Sequence, residues 1–319
     1  MSVSYDGTFP APFIAQAIKE FGGDFQYIWS IVAPMLTSKE KEGTIGKRSR
    51  EKIAGDGRST RRAPGAPYDR DSLGLGGVPF DVKGYGKEVP VAKEHQALFA
   101  ALMDSLIAGG EKIRNDIFVD LEILVKNMIF NTSTWSGAAL FTDNKAAPWS
   151  TAGSPIKAQC NAAKEKVRLG TGMVANALIV SKESYDHMVY TNTELKGFLS
   201  GLAVPTEDAM KAVIESVLKL EVVVGDAVYN SAIEGQTFAG ASIWPEHYAS
   251  VARICKTSNP VEPGVARSVA WEAMGAGTDM ATSIYPEPQT KSQVVQGDMY
   301  VDNVVVDSAF AHLMQIEVI

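Results

Sequence analysis

The residue types that most often carry chemistry are sparse in this chain of 319 residues. Its four histidines are His95, His187, His247 and His312, and none has a second ligand-type residue at metal-binding spacing. Glu246-His247 sets an acid beside a base, but neighbouring side chains rarely face one site. Gly240-Ala241-Ser242-Ile243-Trp244 begins like a nucleophile elbow and lacks the closing glycine. Met274-Gly275-Ala276-Gly277 offers two glycines of a dinucleotide loop, without the third and without a βαβ setting, and reads as a turn. Asn131-Thr132-Ser133 fits a glycosylation sequon, which has no consequence in a chain kept in a cytoplasm. Cys160 and Cys255 are far apart and form no C-x-x-C pair, so two buried reduced thiols are expected. No catalytic, cofactor-binding or metal-binding residue is expected, and no cofactor.

What remains is the chemistry of charge. The net charge is −7, unevenly spread. Nine Lys and Arg against four acids give Lys39–Arg62 a net of +5, so the remainder carries −12. Lys47, Arg48, Arg50, Lys52, Arg58, Arg61 and Arg62 are the candidate contact residues of this cluster. A basic arm on an acidic body suits self-complementary subunits, arm on neighbouring body. An arm gripping phosphates is the rival. Tyr68 and Tyr85 lie nearby, but no aromatic is interleaved with the cluster, so stacking on bases is unsupported.

The cluster lies in a glycine-rich segment, Lys39 to Glu88, with Pro64, Pro67 and Pro79 and few apolar residues. Taken alone it has too little apolar surface to offset its ordering entropy, so support from another subunit is expected. Its Gly-Gly and Pro signals suit a long two-stranded excursion. Before it, Phe9 to Ile18 and Phe25 to Leu36 read as an arm with one or two helical turns.

After Pro90 the pattern turns helical to Asn131. Leu98/Phe99, Leu102/Met103 and Leu106/Ile107 recur at spacing four; Ile113, Ile117, Leu121, Leu124 and Met128 continue the buried stripe. Such a helix would span about 60 Å, and Gly109-Gly110 is expected to kink or split it. Beyond Gly153 the chain becomes mixed α/β. Ser154-Pro155 is expected to cap a helix to about Leu169, and Ser181 and Thr206 cap later helices. Strands are expected at Ala177–Val180, Glu221–Val224, Ser242–Trp244, Tyr248–Ile254, Ser268–Met274, Gln293–Val306 and Phe310–Val318. No internal repeat is visible. Hydrophobic content of 45% and charged content of 21% are those of a soluble globular protein. No apolar run approaches membrane-spanning length, and the opening Met1-Ser2-Val3-Ser4 lacks the features of a signal peptide.

This order of parts resembles the major capsid proteins of tailed bacteriophages, the Hong-Kong-97-type fold. The motifs run W-S-T-A-G-S-P-I-K-A (149–158), V-A-N-A-L-I-V-S-K-E-S-Y-D-H-M (174–188), L-E-V-V-V-G-D-A-V-Y-N-S-A (220–232) and A-S-I-W-P-E-H-Y-A-S-V-A-R-I (241–254), with a late Trp271. The resemblance rests on motifs from about 145 to 319 and on architecture alone before that.

It implies an α+β fold in five parts: an N-terminal arm (1–36), an extended E-loop (37–90), a peripheral domain with a spine helix (91–155), an axial α/β domain (156–285) and returning C-terminal strands (286–319). The implied function is a non-enzymatic subunit of an icosahedral shell around double-stranded DNA, contacted without sequence preference. The implied partners are further copies of the chain in hexamers and pentamers, and scaffolding and portal proteins, with no membrane. The location is the virion, assembled in the host cytoplasm. The chain opens at Met1 with no long leading segment to act as a built-in scaffold, so a separate scaffolding protein is expected. Some members of the family cross-link through an E-loop lysine; Lys47, Lys52, Lys83 and Lys87 are available, with no motif for the acceptor. An encapsulin-type nanocompartment of the same fold and a cytoplasmic α/β enzyme are the alternatives.

Overall fold

A long helix laid across one sheet, beside a second sheet layered with shorter helices, organises the chain. The computed structural model describes residues 9–10, 27–55, 60–68, 70, 74–94, 96, 105–201, 206–233, 235–274 and 280–317. Most of the expected N-terminal arm, Arg58, the early helical repeats at Leu98–Met103, the glycines Gly275 and Gly277, and Val318 lie outside the described residues.

The larger sheet has six strands. Its centre is β14 (Ser292–Val305), which pairs antiparallel with β5 (Lys83–Ala92), β12 (Ala266–Trp271) and β13 (Ala281–Glu287). The last two partners carry β2 (Met35–Ser38), parallel to β12, and β1 (Phe9–Pro10), antiparallel to β13. Five strands make the smaller sheet, in the order β6 (Phe141–Asp143), β15 (Ala311–Gln315), β11 (Tyr248–Ala252), β7 (Ala177–Ser181), β8 (Glu221–Gly225). Two isolated hairpins complete the strands: β3 (Glu42–Arg48) with β4 (Leu75–Asp81), and β9 (Val228–Asn230) with β10 (Gly240–Ser242). Among the described residues the helices are α1 (Trp29–Val32), α2 (Arg50–Ala54), α3 (Ser105–Ile129), α4 (Ile156–Thr171), α5 (Lys182–Asp186), α6 (Thr193–Leu199) and α7 (Glu207–Leu218), with a π-helical turn, His187–Thr191, between α5 and α6. The fold class is α+β, as the sequence implies.

The long helix α3 is continuous through Gly109-Gly110, so the glycines do not split it. Both glycines are buried, and Gly109 faces Val89, Val91 and Val295 of the sheet. Packing of the helix on β5 and β14 offsets the low helix propensity of the two glycines. The buried stripe also differs from the expected one. It runs Ile113, Ile117, Leu121, Val125, Ile129 at a constant spacing of four, with Phe118 and Glu122 beside it, while Leu124 is 39% exposed and Met128 only partly buried. The stripe drifts around the helix to stay over the sheet, and the spacing 121–124–128 loses that contact.

Beneath the helix lies a core of Ile28, Trp29, Trp135, Trp244, Met299 and Phe310. A second core joins α4, α7 and the smaller sheet through Trp149, Leu178, Met188, Ile214, Leu218 and Val251. Ser181 and Thr206 cap their helices as expected, accepting from the Ser184 and Ala209 amides. Ser154 does not cap α4; Pro155 takes the cap position, and the Ser154 hydroxyl donates to the Ala147 carbonyl instead. Ser242–Trp244 is strand only at its first residue, because Trp244 turns inward under α3. The strand before Met274 ends at Trp271 in a 3-10 turn, and the last strand begins at Ala311. No helix among the described residues is long and apolar enough to cross a membrane.

Candidate functional site: the basic excursion and its anchor

The glycine-rich excursion forms the expected two-stranded ribbon, β3 on β4, with Glu42 opposite Asp81 and Arg48 opposite Leu75. Strand alternation turns Ile45 inward, where it meets Phe80, Val82 and Val269 of the larger sheet. Gly77 sits opposite Gly46 and diagonal to Thr44, whose methyl group would lie 2.1 Å from an added Cβ, so a larger residue there would force the Thr44 side chain aside. Three polar contacts fasten its base: Trp271 Nε1 donates to the Lys39 carbonyl, the Val82 amide to the Lys41 carbonyl, and the Asp81 amide to Asp302. The chain's own body supplies part of the segment's support. Val269 and its neighbours supply an apolar floor that lies over 180 residues away in sequence.

Past β3 the chain turns back to the body. The Ser49 amide donates to the Gly74 carbonyl and closes the neck. Helix α2 then places Ile53 against the main core and Ala54 against Gly172 at the end of α4. Gly172 has φ +73, and a Cβ there would come 2.8 Å from Ala54. Glycine is therefore needed both to end α4 in the left-handed conformation and to seat α2.

The basic residues fall into distinct settings. Arg50 donates through Nε to Asp307 Oδ2 at 2.9 Å and through Nη2 to Asp307 Oδ1, a two-pronged pair. Lys47 joins the same carboxylate at 3.2 Å. Asp307 is buried, its side chain 1% exposed, and also accepts from the Ala309 amide to cap a 3-10 turn. Burial raises its pKa, but the hydrogen bonds from Arg50 and Ala309 and the charges of Arg50 and Lys47 outweigh that and hold it below the usual carboxyl value. The same hydrogen bond raises Arg50. Arg62 stacks 4.1 Å over the Tyr68 ring and donates to the Ala66 carbonyl, stiffening the outer turn. Arg48, Lys52 and Arg61 are exposed. Lys47 and Arg50 thus converge on one acid of their own chain, and Arg62 does not join them. Of the other lysines considered for cross-linking, Lys87 pairs with Asp116 at 2.6 Å.

Two acids that organise the structure escaped sequence reading. Asp307, in Asp307-Ser308-Ala309, carries an N-cap signature that a search for helix starts could have found. Glu122 is fully buried and accepts from the Ile28 amide (3.2 Å), the Trp29 amide (2.8 Å) and Trp244 Nε1 (2.6 Å). It ties the N-terminal segment and the Trp244 turn to α3. Burial raises its pKa, and the three donors offset this only in part. Nothing in the sequence marks it among the exposed acids of the helix.

Little here resembles reactive chemistry. Burial pushes the Cys160 thiol up to about 12 and the Cys255 thiol to about 11, so both stay protonated. Among the described residues no group of three His, Cys, Asp or Glu side chains is placed to hold a metal. A cavity of about 230 Å³ lies over Lys182, Tyr185, Glu207, Lys211 and Asp226, below the usual size of a ligand pocket.

A helix spread on one sheet, a layered α/β half and a basic ribbon strapped along the body define the architecture. No family profile matches the sequence, and no curated protein matches it. Solved structures do. A phage-related protein from Bordetella bronchiseptica superposes with a TM-score of 0.70 at 14% identity, over 97% of this chain and 98% of that one. The capsid of cyanophage P-SCSP1u gives 0.58 at 10%, over 99% and 92%. The putative capsid protein of an Escherichia coli CFT073 prophage gives 0.57 at 10%, over 97% and 99%. The chain has the fold of phage capsid proteins.

Proposed function

We propose that the chain is the major capsid protein of a tailed bacteriophage, a non-enzymatic subunit that assembles with its own copies into an icosahedral shell around double-stranded DNA. The observation that carries this reading is the likeness to solved phage and prophage capsid structures over 97–99% of the chain. The ribbon and the segment behind it act as the E-loop (37–90), α3 as the spine helix of a peripheral domain (91–155), and the layered α/β half as the axial domain (156–285). Residues 1–36 are the arm, and 286–319 return as strands. Hexamers and pentamers are the building units, scaffolding and portal proteins the partners, and the virion the location, after assembly in the host cytoplasm. An acidic body suits a wall that should not hold its contents tightly.

Within this reading Arg48, Lys52, Arg58, Arg61 and Arg62 meet the acidic body of a neighbour, while Lys47 and Arg50 hold the strap to its own chain. Electron microscopy of the purified protein, with assay of nuclease-protected nucleic acid, is the test. Closed shells or capsomer rings that enclose DNA when co-expressed with packaging partners are expected. A stable monomer under all assembly conditions overturns the reading. Closed shells filled with a protein cargo and no nucleic acid would point instead to the nanocompartment alternative.

A further inference from the structure

The loop between β11 and β12 is exposed from Lys256 to Pro260, yet it is built around a buried charge. Arg267 of β12 is 1% exposed. Its Nη1 donates to the Thr257 carbonyl at 2.7 Å and its Nη2 to the Asn259 carbonyl at 2.8 Å, with Glu262 Oε2 at 3.4 Å. Glu262 accepts in turn from the Lys256 amide at 3.0 Å and from the Thr257 amide and hydroxyl, both at 2.8 Å. A guanidinium taken out of water must be paired and hydrogen-bonded, and the loop's own carbonyls and acid do this. Asn259-Pro260-Val261-Glu262 forms a turn with asparagine and proline in their favoured first two places. The Glu262 amide donates to the Asn259 carbonyl at 3.1 Å and the Val261 amide to Asn259 Oδ1 at 3.0 Å. The base of the loop is shut by the Val265 amide, which donates to the Arg253 carbonyl at 2.9 Å.

Val261, fixed at the corner of that turn, reaches strand β3. A Cβ on Gly46 would stand 3.7 Å from Val261 Cγ2, an ordinary contact distance, and would meet nothing else of the described residues within 4 Å. Successive side chains of a strand point to opposite faces. Ile45 faces the floor of Phe80, Val82 and Val269, so Gly46 presents to Val261 the face of β3 turned away from that floor. Thr44 and Arg48, on the same face, are exposed, whereas Gly46 is half-buried. The cover is therefore local to Gly46.

We infer that the loop 256–262 is a clasp over β3: the ribbon is gripped between the larger sheet on one face and Val261 on the other, and Arg267 keeps the clasp shut. Arg267 and Glu262 do not touch the ribbon; they are positioning residues that act through the turn carrying Val261. Lifting β3 from its floor then requires the loop to open or the ribbon to slide out from under it. All of these contacts lie within one chain, so the clasp does not depend on the capsid reading. Within that reading it means that a subunit meets its neighbours with the strap already seated.

The test is hydrogen exchange of the β3 amides in the unassembled full chain, with folding checked by circular dichroism. Val261→Gly removes one or two methyl contacts and should speed this exchange about three- to tenfold. Gly46→Ala raises strand propensity in any background, but its methyl group meets Val261 only if the clasp is there. It should therefore slow exchange at least about twofold more in the parent than in the Val261→Gly background. Arg267→Met should speed exchange at β3 together with exchange in the loop. Equal effects of Gly46→Ala in the two backgrounds overturn the clasp and leave the capsid reading as it stands. A folded Arg267→Met chain with unmoved β3 exchange removes Arg267 from its role. If that variant does not fold, the Val261 and Gly46 pair, both outside the fully buried core, decides alone.

Discussion

Replacing Asp307 with Asn changes one oxygen for an amide and tests whether this acid holds the excursion to its body. The carboxylate receives both prongs of Arg50 and the Lys47 ammonium, and its remaining capacity caps Ala309. Asn keeps the cap if its oxygen stays toward Ala309, and its NH₂ then faces Arg50 Nε and Lys47, donor against donor. Hydrogen bonds to charged groups contribute about 1.5–3 kcal/mol. Arg50 is 45% exposed and Lys47 31%, so solvent screening reduces this to about 1–2 kcal/mol. Opening of the strap should therefore become about 5- to 30-fold more frequent. Trypsin reads this directly, since Arg48, Arg50 and Lys52 are cleavage sites inside the strap. At low protease the cleavage rate follows the open population. The unassembled Asp307→Asn subunit should be cut 5- to 30-fold faster within residues 48–52, with the rest of the chain resistant as before. Acid gives the same release with a defined sign. Because the folded pKa is depressed, the clamp is intact above the ordinary carboxyl value of about 4 and is lost as pH falls through the lower folded value. A variant cut within twofold of the parent rate would refute the clamp.

Three further outcomes follow from the core. Leu121→Ala should cost about 2–5 kcal/mol in urea denaturation, as a cavity at a fully buried site, whereas Leu124→Ala should stay within about 0.5 kcal/mol; equal effects would place the helix in the other register. Glu122→Gln sets an amide NH₂ against one of the three donors and should cost about 1–3 kcal/mol, with a shift in the fluorescence of Trp29 and Trp244; an unchanged urea midpoint would deny the acid its tying role. His312 donates Nδ1–H to the Ala139 carbonyl and accepts at Nε2 from Thr142, which accepts in turn from Lys166. Burial, with Lys166 nearby, pushes its pKa down to about 4. The neutral ring's stabilisation is complete above pH 6.5 and is lost as pH falls toward 4, so denaturation midpoints should drop across that window in the parent and change less in His312→Gln.

Local patterns in the sequence settled much of this protein. The caps at Ser181 and Thr206 and the buried strands Ala177–Ser181 and Tyr248–Ala252 follow from patterns close in the chain. Their physics is propensity, periodicity and turn chemistry, which a single sequence carries. The register of α3 depends on more. Leu121, Leu124 and Val125 are all apolar, and only what packs against the helix decides which two are buried. Gly109-Gly110 reads as a break until a sheet is seen lying against it.

The strap's anchor was likewise out of reach, because Arg50 and Asp307 are 257 residues apart and meet only when the chain returns through β14. Charge counting shows that a basic cluster needs acids, and it cannot say which acid or from which chain. Strand Ala281–Glu287, part-buried at nearly every position, lacks the alternation that marks a strand and is defined by its pairing with β14. Composition and spacing thus determined what this chain can be built from. The tertiary structure decided which faces are buried and which charges are paired, because those depend on contacts whose partners the sequence does not place side by side.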